Sequence, residues 1–343
     1  MSNRITYIDS LKGLAIFLMV MGHVIARQFP DYQIALANDS RSVIFLWRFI
    51  YSFHMPLFMF CSGLLALRIK EYTWKVIGNT IWKRACTLLL PFFVTGAIRY
   101  WTQGGEFLDY WYLWSLFQFM IVVIAIDGLC SLLPKYNKEV STGIIVLSAL
   151  MVHVFWNGFM KYENMPFVDV WHWNLYPYFC MGIICARYDL CTKWFSKNWL
   201  YTCSLLVFGI LTYVITIKGI HIPKQSLTGC LMPISAIIML VYLFNKGLSG
   251  TSKLEQCLQK LGQNSLEIYI LHSFFLFPAY KIGEYVIELS KLNGGYTAAF
   301  MLQLTSSLLF SALIIVLCYG VMGIIKKSNI LSQILLGRKG EIK

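Results

Sequence analysis

The sequence predicts an all-α, polytopic membrane protein with about ten transmembrane helices. Hydrophobic residues make up 58% of the 343 residues and charged residues only 13%, whereas a soluble domain carries about 25% charged residues. Apolar runs of about 18 residues or more recur along the chain, separated by short charged links. These observations exclude an ordinary soluble domain. They predict a single integral membrane domain over residues 1–343, with no additional soluble domain.

The predicted helical core covers about 7–325 and is followed by a short basic tail at 326–343. A span of about 20 apolar residues crosses a hydrocarbon core about 30 Å thick. The fifth and sixth predicted spans are interrupted, by Asn157 and Pro177 among others. The predicted spans are 7–27, 43–67, 80–100, 111–133, 140–157, 171–187, 199–217, 226–245, 264–286 and 297–325.

The distribution of basic residues predicts that both termini are cytoplasmic. With the N-terminus inside, most of the 29 Lys and Arg residues fall in segments on one side of the membrane, as the positive-inside rule requires. The net charge of +13 is explained by these short loops, so no nucleic-acid partner is expected, although an anionic ligand is compatible with it. The ten cysteines lie mostly in apolar runs. They are interpreted as buried hydrophobic residues, and no metal site is predicted.

The first apolar run, from Ile8 to Val24, contains Asp9, Lys12 and His23. Lys12 and His23 are separated by close to three helical turns, so both project from one face of the helix. Their axial separation is about 16 Å, roughly half the thickness of the hydrocarbon core. Ionisable groups in such positions are costly in lipid and should face protein or a wet cavity. This pattern predicts a functional site along that face.

The second span carries Arg48, His54 and Pro56. Arg48 and His54 do not share a face well at their spacing. Pro56 frees a backbone carbonyl and bends the helix, which is tolerated where neighbours or water satisfy the carbonyl. A bent helix bearing His54, placed beside the helix that bears His23, would form one wall of a cavity.

Five short motifs follow one another along the chain. They are Asp9-Ser10-Leu11-Lys12-Gly13-Leu14 with His23; Phe53-His54-Met55-Pro56-Leu57-Phe58 with Ser62-Gly63; Trp111-Tyr112-Leu113-Trp114-Ser115-Leu116; Tyr178-Phe179-Cys180-Met181-Gly182; and Leu261-Gly262-Gln263-Asn264-Ser265-Leu266 with Tyr269 and His272. Together, in this order, they resemble the membrane-bound acyltransferase family 3, which contains O-acetyltransferases that modify cell-surface glycans. The resemblance covers nearly the whole chain.

The resemblance implies acyl transfer from a cytoplasmic acyl-CoA, usually acetyl-CoA, to a hydroxyl presented near the outer face of the inner membrane. Acetyl-CoA would be a donor substrate and not a resident cofactor, and the acceptor a glycan or lipid-linked sugar. The family's Arg/Lys-x10-His pattern maps onto Lys12 and His23, with His23 as the essential histidine. Lys stands here where Arg is commoner, and an ammonium group does not offer the planar fork that clamps phosphate. Without the extra outer domain of some members, the chain is expected to act alone or with a separate partner.

The resemblance and the chemistry together predict a catalytic set and a binding set. A neutral imidazole at His23 would take the acceptor's proton, or carry the acyl group itself. The alternatives are a buried histidine bonded to a carbonyl for His23, an interfacial anchor for Lys12, and a helix cap for Asp9. The predicted catalytic residues are Asp9, Lys12, His23 and His54; the predicted binding residues are Arg48, Arg68, Lys83, Arg84, Glu267, Tyr269 and His272.

The segment from Arg68 to Arg84 is the predicted contact for the coenzyme's phosphates, because clustered cations attract them. Membrane topology alone is the competing explanation for its charge. Asp127 and His172 are interpreted as isolated polar residues. Two other functions stay open: a secondary transporter of a small sugar or acyl compound, with polar residues lining its path, and a membrane scaffold. The scaffold leaves the ionisable face of the first helix unexplained.

Overall fold

The computed structural model consists of helices, with no strand in the stretches it describes. These stretches are residues 6–29, 41–66, 72–104, 110–133, 138–159, 170–217, 226–247 and 252–338. The α-helices are α1 Thr6–Ala26, α2 Arg41–Ala66, α3 Trp74–Gln103, α4 Trp111–Ser131, α5 Lys138–Phe159, α6 Tyr176–Tyr188, α7 Leu190–Lys193, α8 Asn198–Thr212, α9 Leu227–Tyr242, α10 Lys253–Gln263, α11 Ser265–Leu271, α12 Tyr280–Lys291, α13 Tyr296–Ile325 and α14 Asn329–Leu336. Short 3-10 turns lie at Val170–Leu175 and His272–Phe275, and π turns at Tyr213–Ile217 and Leu243–Gly247.

Eight of the described helices are long and apolar enough to cross a membrane, judged by length and composition. They make the chain a multi-pass membrane protein. The predicted first span, 7–27, is confirmed by α1, which runs unbroken from Thr6 to Ala26. Ten spans were expected, and two of them, 171–187 and 264–286, are not among the eight.

Both of these segments are broken for local reasons. In 171–187 a 3-10 turn precedes α6, which has Pro177 in its first turn. α6 itself is only 13 residues long, and its length of about 20 Å is less than the thickness of the hydrocarbon core, about 30 Å. The predicted ninth span divides at its polar residues into α11, the 3-10 turn that begins at His272, and α12. Pro278, between the turn and α12, removes a backbone donor and disfavours a helix that runs through.

The chain divides into two compact units. The first contains residues 1–58 and 191–320, and the second contains residues 59–190 and 321–343. The prediction of one functional domain over residues 1–343 stays a prediction.

In the first unit, α1 packs along α10 at backbone contact. A Cβ atom added at Gly13 would lie 1.9 Å from the carbonyl oxygen of Leu258, and one added at Gly262 would lie 1.8 Å from that of Asp9. Side chains at either position would push the helices apart, so only glycine permits this approach. Most of α1 is buried, and Leu11, close to the crossing, is fully enclosed.

The C-terminal end of α1 is fastened to the segment that leads into α12. The backbone N–H of Ala279 donates to the carbonyl of Arg27 at 2.9 Å. One turn further on, Gly283 lies against the carbonyl of Gln28, which a Cβ atom would approach to 2.0 Å. The segment between His272 and α12 therefore runs beside the end of α1.

In the second unit, α2 and α6 approach through Gly63 and Gly182. A Cβ at Gly63 would lie 2.1 Å from the carbonyl oxygen of Phe179, and one at Gly182 would lie 2.2 Å from that of Phe60. Nearby in the chain, the hydroxyls of Ser62 and Tyr112 share a hydrogen bond of 2.6 Å. This crossing explains the glycines in two of the motifs as packing residues.

The second unit also contains a buried ion pair that corrects an interpretation from the sequence. Asp127, taken as an isolated polar residue, accepts a hydrogen bond of 2.5 Å from the Arg187 guanidinium. Its carboxylate also accepts from the hydroxyls of Tyr72, at 2.7 Å, and Ser141. Arg187 donates further to Thr142 at 3.0 Å. His172 is likewise not isolated, because its ring stacks on Trp111 with the centroids 3.6 Å apart.

A candidate active site in the first unit

Two histidines from distant parts of the chain meet in the first unit. The Nε2 atom of His272 lies 3.2 Å from Nδ1 of His23, and the ring centroids are 5.1 Å apart. His272 is 3% exposed, whereas His23 is half-buried. The pair therefore combines an enclosed imidazole with a partly exposed one.

The hydrogen bonds around His272 decide which nitrogens carry protons when both rings are neutral. Nδ1 of His272 faces the carbonyl oxygens of Tyr269 at 2.7 Å and Ile268 at 3.3 Å. Because carbonyls only accept, this nitrogen carries the proton, which leaves Nε2 of His272 as an acceptor. Nδ1–H of His23 then donates to it. With these two hydrogen bonds, the unprotonated nitrogen of the neutral His23 ring is Nε2.

The local sequence explains how His272 reaches this position. Gly13 and Gly262 hold α10 against α1, and the helix direction breaks at Asn264, whose side-chain amide donates back to the carbonyl of Lys260 at 2.9 Å. α11 begins directly afterwards, packs against α1, and ends one residue before His272. The contact between α1 and α10 at Gly13 and Gly262 thus sets the position of His272 along the axis of α1, relative to His23.

An aromatic group of α2 packs against Gly22, the residue before His23. The ring of Tyr51 lies over Gly22, where an added Cβ would approach its Cε2 atom to 2.6 Å. Trp47 stacks on Tyr51 with the centroids 4.0 Å apart, and His54 meets the same ring edge-on at 4.7 Å. Sequence reasoning overlooked Trp47 and Tyr51. Their spacing of four residues and the position of Tyr51 three residues before His54 were the available signal.

His54 itself is 1% exposed and is held by its own helix. Its Nδ1 lies 2.8 Å from the carbonyl oxygen of Ile50, so this nitrogen donates and Nε2 is the acceptor of the neutral ring. The ring is thus held by a hydrogen bond to its own helix. The predicted catalytic role of His54 stays a prediction.

The other predicted site residues fall into both units. In the first, Asp9 and Glu267 are buried at 6% and 0% exposure, Tyr269 is buried, and Lys12 and Arg48 are half-buried. Lys12 and His23 share one face of the continuous helix α1.

The coenzyme candidates belong to the second unit. Lys83 is exposed, and Arg84 donates to the carbonyl of Ala66 at 3.2 Å. Arg68 lies outside the described residues. Phosphate binding by these three cations stays a prediction.

Comparison with known proteins agrees with the motifs. A family model described as an acyltransferase domain matches residues 5–325. Nodulation protein NolL of Mesorhizobium japonicum is 26% identical over 208 residues, covering 54% of this chain and 49% of that protein. Nodulation protein NolL of Sinorhizobium fredii is 27% identical over 206 residues, covering 54% of this chain and 50% of the relative. The aligned part thus spans about half the length of each curated relative.

No solved structure matches the chain significantly. The family model, by contrast, covers all five motifs and both histidines of the pair. Its extent, from residue 5 to residue 325, includes all eight of the described helices that are long and apolar enough to cross a membrane. The chain therefore belongs to the membrane acyltransferase family 3.

Proposed function

We propose that the chain transfers an acyl group, usually acetyl, from cytoplasmic acyl-CoA to a hydroxyl of an extracytoplasmic glycan or glycolipid. Membership of the family supports a membrane acyltransferase. The observation that carries the chemical assignment is the hydrogen bond of 3.2 Å between His272 and His23. It leaves an unprotonated nitrogen on the more accessible of the two rings.

The proposed reaction uses His23 as the general base. Nε2 of His23 takes the proton from the acceptor hydroxyl while its oxygen attacks the thioester carbonyl. The C–O bond forms first, and the C–S bond then breaks to release CoA as its thiolate. The protonated His23 returns the proton to that thiolate, so the base is regenerated. Direct transfer needs no acyl-histidine, although an acyl relay on the same nitrogen is chemically open.

His272 is proposed as the residue that orients the base. Its Nδ1–H is anchored on the carbonyl of Tyr269, so its Nε2 holds the Nδ1–H of His23 in place throughout the reaction. A third group that fixes the tautomer of a catalytic histidine is a recurring device in acyl transfer. Lys12 is proposed to hold an anionic group on the cytoplasmic side of the same face.

The first experiment measures transfer of radiolabelled acetyl from acetyl-CoA in membranes. His23→Ala should reduce transfer by at least about 10², the lower end of what a general base contributes, with unchanged abundance in the membrane. His153→Ala is the matched control, because His153 lies on α5 in the second unit. Undiminished transfer by His23→Ala would refute the assignment, and uptake of intact solute without label transfer would favour a transporter.

The second experiment separates orientation from structure at His272. His272→Asn keeps a side-chain acceptor for Nδ1–H of His23, whereas His272→Leu removes it. We expect His272→Asn to retain more transfer than His272→Leu, by about tenfold or more, with similar thermal stability of both proteins. Equal loss in the two variants would show that the ring acts only in packing.

A further inference from the structure

A second polar cluster lies in the first unit, apart from the histidine pair. The side-chain amide nitrogen of Gln28 donates to the hydroxyls of Ser306 and Ser307, at 3.2 Å each. Gln303 lies one helical turn before these serines on α13, and the hydroxyl of Ser306 donates to the backbone carbonyl of Gln303 at 3.2 Å. Gln28, Gln303 and Ser307 are all 0% exposed. We call Gln28, Gln303, Ser306 and Ser307 the amide cluster.

The amide cluster contains three polar atoms that have no hydrogen-bond partner among the described residues. They are Oε1 of Gln28 and both Oε1 and Nε2 of Gln303. A buried amide without a partner is costly, and more so in a membrane protein, where no bulk water lies nearby. Native proteins satisfy nearly all such groups with protein, water or a ligand. Two unfilled acceptors and one unfilled donor thus lie on side chains that the hydroxyls of Ser306 and Ser307 bring to one place, and no described residue fills them.

The position of the amide cluster relates it to the histidine pair. Gln28 follows His23 by five residues and lies in the turn just beyond the end of α1. The backbone around Gln28 is fixed by the contacts of Ala279 and Gly283. With the N-terminus in the cytoplasm, the amide cluster lies on the outer side of His23, where the acceptor approaches. This direction rests on the proposed function.

The chemistry of the amide cluster selects a class of ligand. None of its four residues is charged, so it offers no counter-ion to a phosphate or carboxylate. A primary amide donates from nitrogen and accepts at oxygen, which matches a hydroxyl that donates and accepts at once. Adjacent hydroxyls of a sugar ring present this pattern repeatedly. We propose that the amide cluster is a subsite for a neutral, polyhydroxylated acceptor, a sugar unit held beside the reacting hydroxyl.

The test measures binding directly, without acyl transfer. Saturation-transfer NMR would use the full chain in lipid nanodiscs free of sugar detergents, with methyl β-D-glucopyranoside as the probe and cyclohexylmethanol as the apolar control probe. Gln303→Met and Gln28→Met remove polar atoms at similar side-chain length. Gln256→Met is the matched control, because Gln256 is exposed on α10. Having two variants keeps the test decisive if one of them fails to fold.

The proposal expects a glucoside signal in the wild type that falls roughly three- to tenfold in Gln303→Met or Gln28→Met. The signal should persist in Gln256→Met, and cyclohexylmethanol should be unaffected by every substitution. No glucoside signal in the wild type, or an equal signal in all variants, would overturn the proposal and indicate bound water only. If the glucoside binds but no label is transferred from acetyl-CoA, the subsite proposal stands and the proposed acyl transfer is refuted. The two proposals can therefore fail separately.

Discussion

Replacing Gly262 by alanine tests whether the helix crossing positions the histidine pair. The added Cβ would lie 1.8 Å from the carbonyl oxygen of Asp9, whereas carbon and carbonyl oxygen ordinarily approach to about 3.3 Å. The shortfall of about 1.5 Å falls between two backbones, so no side-chain rotation relieves it. α10 must move away from α1.

This displacement should reach His272, because α11 follows α10 after a single residue. A shift of about 1 Å would break the 3.2 Å contact with His23. Misplacement of this size at a catalytic centre costs about 10² in rate. Stability should fall by about 1–3 kcal/mol from overpacking, offset in part by the better helix propensity of alanine, at most about 1 kcal/mol.

The assay combines label transfer from acetyl-CoA with thermal unfolding of the purified protein. Gly320→Ala is the matched control: it lies in α13, and nothing lies within 4 Å of its Cβ position. The control should keep full activity and unfold at the same or a higher temperature. Wild-type activity and stability in Gly262→Ala would refute the inference that this contact sets the geometry.

Two further predictions concern the second unit. Asp127→Leu should lower stability by up to about 3–5 kcal/mol, because it leaves the guanidinium of Arg187, whose side chain is 12% exposed, without its counter-charge. A double change with Arg187→Met should recover most of the loss, and unchanged thermal unfolding of the single variant would contradict this. Gly63→Ala should also lower the unfolding temperature, since its Cβ would lie 2.1 Å from the carbonyl of Phe179. Gly78→Ala is the control, because nothing lies within 4 Å of the Cβ position there. Equal unfolding temperatures for the two variants would refute the inference that Gly63 is required for close packing.

The sequence predicted the helices better than it predicted which helices meet. The run of 7–27 carries a continuous apolar pattern, and α1 follows it. His23 and His272 were both singled out, yet periodicity within a helix says nothing about its neighbour. The glycines of the first and last motifs, Gly13 and Gly262, were the available signal, because small residues mark close helix contacts in membranes.

Other departures have equally local causes. The sequence gives no sign that Arg187, 60 residues further along the chain, is the partner of Asp127, although a carboxylate within an apolar run requires a partner. The break near His272 was signalled by Asn264 and Pro278, which interrupt the apolar pattern of 264–286. The amide cluster left no trace in any motif, because a lone glutamine near a helix end is unremarkable until its neighbours are known.

The contact between α1 and α10 joins main chain to main chain. At Gly13 and Gly262 the opposing atoms are carbonyl oxygens of Leu258 and Asp9, so the side chains of those two residues contribute nothing to the closeness of approach. A methyl group added at residue 13 or 262 would therefore meet backbone, and the two helices would have to separate to admit it. Selection that keeps His23 and His272 aligned would therefore act on Gly13 and Gly262, two residues without side chains.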